Sequence, residues 1–417
     1  MKFPVLIFLV ISTLFYSCQK VKIEKYPISN LDTTKIFTAV PSSYSGIEFN
    51  NKLNVSELMS PLQNVNVYNG GGVAVGDINN DGLVDIFFTG NQVDNRLYLN
   101  KDGLSFEDIT AKAGVASPNS WCTGATIVDI NNDGLNDIYV CRSYYGEPSK
   151  RTNQLFINNG DLTFTERAEE YGLNDEGYSI MASFFDYDKD GLLDVFIGNH
   201  PPDRFLSYEE HFQNWSNPRL ETSNQLYRNT GKSFFQKTTS KAGLVSYGWT
   251  LGMVTVDLNQ DNWPDIYVTV DHTEPDRFYI NNKNGTFREA SVFGFEHMSQ
   301  SSMGVDAGDI NNDGLTDLIT VEMLAEDPYR AKTQMQNMEV DRFWDFVRKG
   351  HNYQYMRNML HVNNGNETFR ELGQMAKIHK TDWSWASLFM DMDNDGWQDL
   401  YISNGYYRDY SDQDYRI

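Results

Sequence analysis

The chain has 417 residues, 40% of them apolar and 14% aromatic, which is enough for a sizeable core and excludes a disordered polar chain. Its 57 acidic against 34 basic residues give a net charge of −23, which argues against general binding to nucleic acid or to an anionic membrane surface. Gly (31) far outnumbers Pro (12), favouring tight turns over Pro-rich linkers, and three Cys are too few for a disulfide scaffold.

Residues 1–18 read MKFPVLIFLVISTLFYSC. One Lys precedes an apolar run, Phe3 to Leu14, that is shorter than the about 20 residues a membrane-spanning helix needs and fits the core of a secretory signal. The run Leu14-Phe15-Tyr16-Ser17-Cys18 resembles a bacterial lipobox, in which the Cys is acylated and becomes the new N-terminus. Cys18 is therefore the expected lipidation site, and an ordinary signal peptide is the alternative. Residues 19–35 are polar and read as a tether, and 36–417 as the folded part. Cys122 and Cys141 lie in one predicted hairpin, about three positions out of register, and are expected as buried free thiols.

One nine-residue pattern, Asp-x-Asp/Asn-x-Asp-Gly-x-x-Asp, then recurs six times, its starts 52, 57, 71, 52 and 82 residues apart. Oxygen ligands at positions 1, 3, 5 and 9, with a backbone carbonyl at position 7, suit a hard cation that takes six to eight oxygens. The first loop offers Asp77, Asn79, Asp81, Leu83 and Asp85; the second, Asp129, Asn131, Asp133, Leu135 and Asp137. The third offers Asp186, Asp188, Asp190, Leu192 and Asp194; the fourth, Asp257, Asn259, Asp261, Trp263 and Asp265. The fifth offers Asp309, Asn311, Asp313, Leu315 and Asp317; the sixth, Asp391, Asp393, Asp395, Trp397 and Asp399. No His or Cys falls at a ligand position, so up to six Ca²⁺ are expected rather than zinc or copper. Twenty Asp fill these positions, so nearly all of the net charge sits in the loops. The fourth loop is the weakest match, because Asn262 replaces Gly and Pro264 intrudes.

The pattern is not an EF-hand, which needs Glu at position 12 and flanking helices. The residues after each loop (IFFT, IYVC, VFIG, IYVT, LITV, LYIS) are β-branched and aromatic, and so are those before it, so each loop reads as the turn of a hairpin. A second signature follows: NRLYLN at Asn95, NQLFIN at Asn153, NQLYRN at Asn224, DRFYIN at Asp276 and RNMLHV at Arg357. A turn then leads to a strand around Phe106, Phe164, Phe234, Phe287 or Phe369. Four antiparallel strands per unit of roughly 60 residues, repeated radially, predict an all-β protein of the β-propeller class.

On these motifs the sequence resembles the FG-GAP/VCBS repeat family, whose calcium-loop blades also build the integrin α-subunit propeller. Segments 70–88, 321–333 and 381–409 are closest to its cartilage acidic protein-like (ASPIC/UnbV-associated) branch of Bacteroidota surface lipoproteins. The resemblance implies a seven-bladed propeller with calcium holding its loops, an outer-membrane location, and no known catalytic residue. Six loops are present, and the sixth unit stops before its last two strands, so a C-terminally truncated chain is expected. Residues 36–40 and 45–47 echo 164–167 and 171–173, which predicts an N-terminal outermost strand that closes the ring.

Because each Asp-rich loop joins the first strand of a unit to its second, all six lie on one face, and the longer connections lie on the other. Two are insertions. In 199–223, Phe205, Tyr208, Phe212 and Trp215 have helical spacing; in 322–356, Met335, Met338, Phe343, Phe346 and Val347 form a second helical stripe. Trp121, Tyr178, Trp249 and Trp383 stand eight residues before their loops, near the predicted mouth of a central channel. With Trp215 and Trp344 they are the candidate ligand face, although capping and packing roles compete. The expected function is a calcium-stabilised extracytoplasmic binding or scaffold module for an unknown protein or carbohydrate. The alternatives are a propeller-type enzyme on polysaccharide or lipid, and a purely structural or adhesive surface protein. Asp271, His272 and Glu274 form the one compact polar cluster, expected as a solvated loop.

Overall fold

A computed structural model describes residues 36–54, 65–143, 148–202, 206–334 and 340–406. Cys18, the tether, Phe205, Met335 and Met338 lie outside the described residues.

Five antiparallel sheets of four strands follow one another, each with its strands in sequence order. The first comprises Val73–Gly76, Asp85–Phe88, Arg96–Asn100 and Phe106–Asp108; the second, Cys122–Val128, Asp137–Arg142, Gln154–Asn158 and Phe164–Glu166. The third comprises Tyr178–Phe185, Asp194–His200, Gln225–Asn229 and Phe235–Lys237; the fourth, Trp249–Val256, Asp265–Asp271, Arg277–Asn281 and Phe287–Glu289. The fifth comprises Gly304–Gly308, Asp317–Val321, Met359–Asn363 and Phe369–Glu371. Among the described residues the sixth sheet has two strands, Ser384–Met390 and Asp399–Asn404.

The apolar runs after the second to fifth loops are explained by burial on both faces of the second strand. Ile138 and Val140 pack with Phe87 and Leu97 of the first sheet, whereas Tyr139 and Cys141 pack with Val195 and Ile197 of the third. Successive side chains of a strand point to opposite sides, so a strand between two sheets has no polar side. The same stacking joins the third sheet to the fourth, the fourth to the fifth and the fifth to the sixth. First strands lie side by side: Thr123 Oγ1 donates to Ser179 O (2.7 Å) and Thr126 Oγ1 to Ala182 O (2.9 Å). The approach is close enough that a Cβ on Gly124 would sit 2.5 Å from Ile180 O. This succession is propeller-like.

Cys122 and Cys141 are buried free thiols, as expected. The register differs, however: a bulge between Cys122 and Ala125 sets Cys122 opposite Arg142, one place from Cys141 rather than three. Neighbouring strand positions face opposite ways, so the two thiols enter different clusters. In the third sheet Phe235, not Phe234, is the counterpart of Phe106, because it pairs with Asn229 as Phe106 pairs with Asn100. Residues 36–40 form no strand; with two strands in the sixth sheet they have no third strand to pair with. The predicted echo holds just beyond them. The short helix Ser42–Ser45 ends on Gly46 at φ 74°, as Ala168–Tyr171 ends on Gly172 at φ 70°.

Both insertions carry the expected helices. Helix Tyr208–Ser216 starts with a capping box, Ser207 with Glu210, and the second insertion holds helices Pro328–Gln334 and Val340–Arg348. The insertions pack on each other as well as on the sheets: Arg342 lies 3.3 Å over the Tyr208 ring and His351 packs against Trp215 at 4.5 Å. A parallel pair, His297–Ser299 with Tyr353–Tyr355, ties the second insertion to the connection before the fifth sheet.

Candidate metal loops and the opposite face

All six loops share one hydrogen-bond plan. The Asp at position 1 receives the backbone N–H of position 6: Gly82 to Asp77 (2.7 Å), Gly134 to Asp129 (2.9 Å), Gly191 to Asp186 (2.9 Å). Asn262 to Asp257 (2.7 Å), Gly314 to Asp309 (2.8 Å) and Gly396 to Asp391 (2.9 Å) repeat it. Position 5 receives the N–H of position 7, as in Leu135 to Asp133 (2.9 Å). Position 6 is left-handed throughout, and Asn262 adopts φ 66° there, which Asn tolerates, so the loop judged weakest has the geometry of the others. Position 4 is left-handed as well, including Lys189 at φ 57° and Gln260 at φ 59°.

The Asp at position 9 works differently. It is fully buried in the first five loops, and both of its oxygens accept backbone N–H groups. Asp137 Oδ2 takes Ile130 N–H (3.2 Å) and Oδ1 takes Asn158 N–H (2.8 Å). Burial pushes Asp137 up to about 6, and Asp194 and Asp265 up to about 7, with the neighbouring loop carboxylates adding to the rise and the N–H bonds opposing it.

Asn158 belongs to a set that the sequence motifs contained but did not explain. Its Nδ2 donates to Asn136 O (2.9 Å) in its own loop and to Ile78 O (2.8 Å) in the loop of the preceding sheet, while its Oδ1 accepts Gly160 N–H (3.0 Å). Asn281 and Asn363 repeat this, reaching Tyr187 O (2.9 Å) and Leu258 O (2.8 Å) of the preceding loops. Asn100 and Asn229 hold the same place in the first and third sheets. The signal was the Asn that ends or follows each third-strand signature. In the fifth unit that signature starts at Asn358 rather than Arg357, since Asn358 accepts Glu322 N–H as Asn95 accepts Gly90 N–H. Loops also touch directly: Asn80 Nδ2 donates to Gly134 O (2.8 Å) and Asn312 Nδ2 to Gly396 O (3.1 Å).

Every side-chain donor offered is oxygen. In the third loop carboxylate oxygens of Asp186, Asp188 and Asp194 lie within 4.8 Å of one another, and in the sixth loop those of Asp391, Asp393 and Asp395 do. Asp188 Oδ1 is buried and has no hydrogen-bond partner, although Arg228 takes Asp188 Oδ2 (2.5 Å) and Asp190 Oδ2 (2.6 Å) from outside. A buried carboxylate oxygen without a donor is costly, and a hard divalent cation among these oxygens removes that cost. The loop residues therefore fit such an ion.

The opposite face is irregular. Trp121 and Trp249 are buried, so neither offers an open ring face. Trp249 stacks on His200 (4.9 Å), which stacks on Tyr178 (5.6 Å). Trp383 packs against Tyr406 (4.2 Å), Trp215 lies under Arg277 (5.4 Å), and Trp344 is 47% exposed. The structure thus joins Tyr178 to Trp249 and leaves Trp344 open. The Asp271–Glu274 cluster is not the expected solvated loop: Glu274 is 1% exposed and accepts from or pairs with His211 Nδ1 at 2.9 Å, because the first insertion folds over it. Its neighbour His272 sits at φ 76°, in the left-handed region that non-Gly residues disfavour.

Two stretches, residues 66–140 and 257–320, match the FG-GAP-like repeat model, so the chain carries FG-GAP-like repeats. It is similar to cartilage acidic protein 1 of Xenopus tropicalis, 32% identical over 140 residues, which cover 32% of this chain and 20% of that protein. The human cartilage acidic protein 1 is 26% identical over 211 residues, covering 49% of this chain and 29% of its own length. The chain therefore spans less than a third of the curated relatives it matches. Among solved structures, rhamnogalacturonan lyase YesW aligns with a TM-score of 0.40 at 9% identity, covering 81% of this chain and 55% of that one. The V. cholerae biofilm matrix protein Bap1 aligns at 0.33 and 13% identity, covering 61% and 34%. No helix among the described residues is long and apolar enough to cross a membrane.

Proposed function

We propose that this chain is a calcium-stabilised extracytoplasmic binding or scaffold module of β-propeller type, recognising a protein or glycan through the face opposite the Asp-rich loops. The observation that carries the calcium reading is the third loop, where three carboxylates converge and Asp188 Oδ1 is buried without a donor. In each loop the side chains at positions 1, 3, 5 and 9 and the carbonyl at position 7 would hold the ion. When bound, calcium supplies the charge that offsets three or four crowded carboxylates. Ring closure is supported by Phe37 packing on Tyr401 (6.4 Å) and Tyr68 on Tyr406 (5.2 Å), which bring N-terminal residues beside the last sheet. A seven-bladed ring and an outer-membrane lipid anchor at Cys18 complete the reading. Isothermal titration of the metal-free protein with calcium tests it: saturable binding at several sites, abolished at one of them by Asp188→Ala, is expected. Absence of binding rejects it. Mass spectrometry of membrane-extracted protein should find acylated Cys18; a mature N-terminus beyond Cys18 rejects the anchor.

The His211–Glu274 pair beside His272 favours a second reading, an enzyme acting on polysaccharide, because a buried carboxylate–imidazole pair is a usable acid–base unit. Depolymerisation assays on a glycan panel, lost in Glu274→Gln, would support that reading over the first.

A further inference from the structure

Of the five Asp-rich loops that belong to four-stranded sheets, four are built alike. Their position 3 is Asn, and its amide donates to Oδ2 of the position-5 Asp: Asn79 to Asp81 (3.0 Å), Asn131 to Asp133 (2.9 Å), Asn259 to Asp261 (3.0 Å) and Asn311 to Asp313 (2.9 Å). In the same four sheets the residue just before the Asn that ends the third strand is apolar and buried: Leu99, Ile157, Ile280 and Val362. The third loop departs at both places. Its position 3 is Asp188, which has no donor when ionised, and the strand residue is Arg228. The two departures meet. Arg228 Nε donates to Asp188 Oδ2 (2.5 Å) and Nη2 to Asp190 Oδ2 (2.6 Å), so one guanidinium supplies the bond that an Asn amide makes elsewhere and bridges positions 3 and 5. It also brings a loop of four Asp back to the net charge of the loops that have three. The fourth loop has a cation too, Lys283 on Asp261 Oδ2 (3.2 Å), but there it is added to the Asn259 bond rather than standing in for it.

We propose that Arg228 is a tethered counter-ion: it holds the third loop in shape without metal and weakens calcium binding there, so that this loop depends less on calcium than the loops with Asn at position 3. This rests on the calcium reading of the loops given above, and adds that the sites are not equivalent. A single exposed ion pair contributes little to stability. A guanidinium shared by two carboxylates is different, because its planar fork fixes both in one geometry. Without an ion, the carboxylates of the other loops face one another with only an amide between positions 3 and 5; in the third a full positive charge already offsets two of them. The bonds fall on the Oδ2 atoms, which leaves Asp188 Oδ1, buried and without a donor, for an ion beside Asp186 and Asp194. An ion can therefore bind with Arg228 in place, but the guanidinium charge then lies next to a divalent cation and opposes it.

The test is hydrogen exchange, read by mass spectrometry on the 417-residue chain from excess chelator to excess calcium, at a temperature where circular dichroism shows the chelated chain folded. It follows segments 186–194 and 129–137, in each of which a loop carboxylate holds the position-6 N–H, of Gly191 or Gly134. In chelator the parent chain should keep 186–194 protected and open 129–137. Arg228→Leu, which installs the residue of the first sheet, should open both in chelator. It should also lower the calcium concentration that half-protects 186–194 by about tenfold, the effect of removing a unit charge beside a divalent ion near the surface, and leave 129–137 unmoved. The double variant Asp188→Asn, Arg228→Leu reproduces the pair Asn79 and Leu99 of the first sheet and serves if four bare carboxylates prevent folding. Its 186–194 segment should open in chelator and close with calcium. The role of Arg228 is overturned if 186–194 of the parent chain opens in chelator as readily as 129–137, if Arg228→Leu leaves the half-protecting concentration unchanged or raises it, or if the double variant stays protected in chelator. A 129–137 segment indifferent to calcium is a separate result: it rejects the calcium reading itself, and the role of Arg228 with it.

Discussion

On the face that carries the Asp-rich loops, six segments far apart in sequence repeat the same bonds, down to the N–H of position 6 on the carboxylate of position 1. On the opposite face the connections from second to third strand differ from sheet to sheet. The turn between Phe88 and Arg96 is short, that between His200 and Gln225 carries a capped helix, and that between Val321 and Met359 carries two helices and a strand. At positions 1, 3 and 5 the loop face concentrates negative charge on exposed or half-buried carboxylates, repeated from loop to loop; the other face buries single carboxyls, Glu274 against His211 and Glu322, the latter held well above its ordinary range by burial. The difference teaches a division of labour. Repetition marks what each sheet needs in order to exist, and variation on a rigid scaffold marks where recognition is free to evolve.

The largest effect expected from this division is on stability. With about 2 mM calcium and a dissociation constant near 0.1 mM, each independent site adds about 1.8 kcal/mol. Six such sites add on the order of 10 kcal/mol, comparable with the whole stability of a domain. Excess chelator should therefore lower the melting midpoint by more than about 10 °C, with magnesium restoring it poorly. A melt unchanged by chelator would break the comparison at its first term, since the repeated loops would then need no ion.

The next effect separates the latch from the surface. Asn158→Ala removes two donors to buried carbonyls and one acceptor, and should cost about 2–4 kcal/mol in urea unfolding. Asn159→Ala, one residue on, removes only exposed bonds to Thr163 and Thr165 and should stay within about 0.5 kcal/mol. Equal costs would mean that the bond to Ile78 O does not fasten neighbouring loops together.

The loop face was the legible half. Six copies of one nonapeptide, with strand-forming residues on either side, specify the hairpins, the four-strand units and the oxygen donors before any coordinates. What stayed hidden depends on contacts between units. The role of Asn158 lies in a carbonyl eighty residues earlier, and a lone Asn at a strand end has no local signature for that. The bulge at Thr123–Gly124, which moved the cysteine register, answers to packing against the next first strand. Residues 36–40 read as a strand because they resemble one, but a strand forms only where a partner strand is present. The burial of Glu274 follows from a helix inserted sixty residues upstream, so no short window of sequence contained it.

A pH experiment probes the variable face alone. His351 lies between Trp215 and Phe346, and burial pushes its imidazole down to about 4. The folded value lies below the unfolded one near 6.5, so the fold favours the neutral ring. Its contribution is complete above about pH 6.5 and is lost progressively as pH falls toward 4, by on the order of 3 kcal/mol. Loop carboxylates also titrate in acid, so the informative quantity is the difference between the parent chain and His351→Gln. The gap between their urea-unfolding stabilities at pH 7 should shrink or invert at pH 4.5. An unchanged gap would mean that the two insertions open before the ring is protonated.

A small stability effect belongs to the residue with the most to say about recognition. Trp344 is 47% exposed and touches Phe343 at 5.2 Å and Tyr353 at 6.3 Å, both on its own insertion. Its removal uncovers little that was dry, so Trp344→Ala should change stability by less than about 1 kcal/mol. Trp249→Ala, by contrast, empties a fully buried site and should cost about 3–5 kcal/mol. An aromatic ring left open at low cost to the fold is the kind of side chain that anchors a partner, and such anchors dominate binding energy. Once a ligand is in hand, Trp344→Ala should weaken binding at least tenfold with the melt unchanged, while Asn282→Ala, in a turn on the loop face, should leave binding intact. If Asn282→Ala weakens binding and Trp344→Ala does not, recognition belongs to the repeated face, and the division of labour between the two faces is reversed.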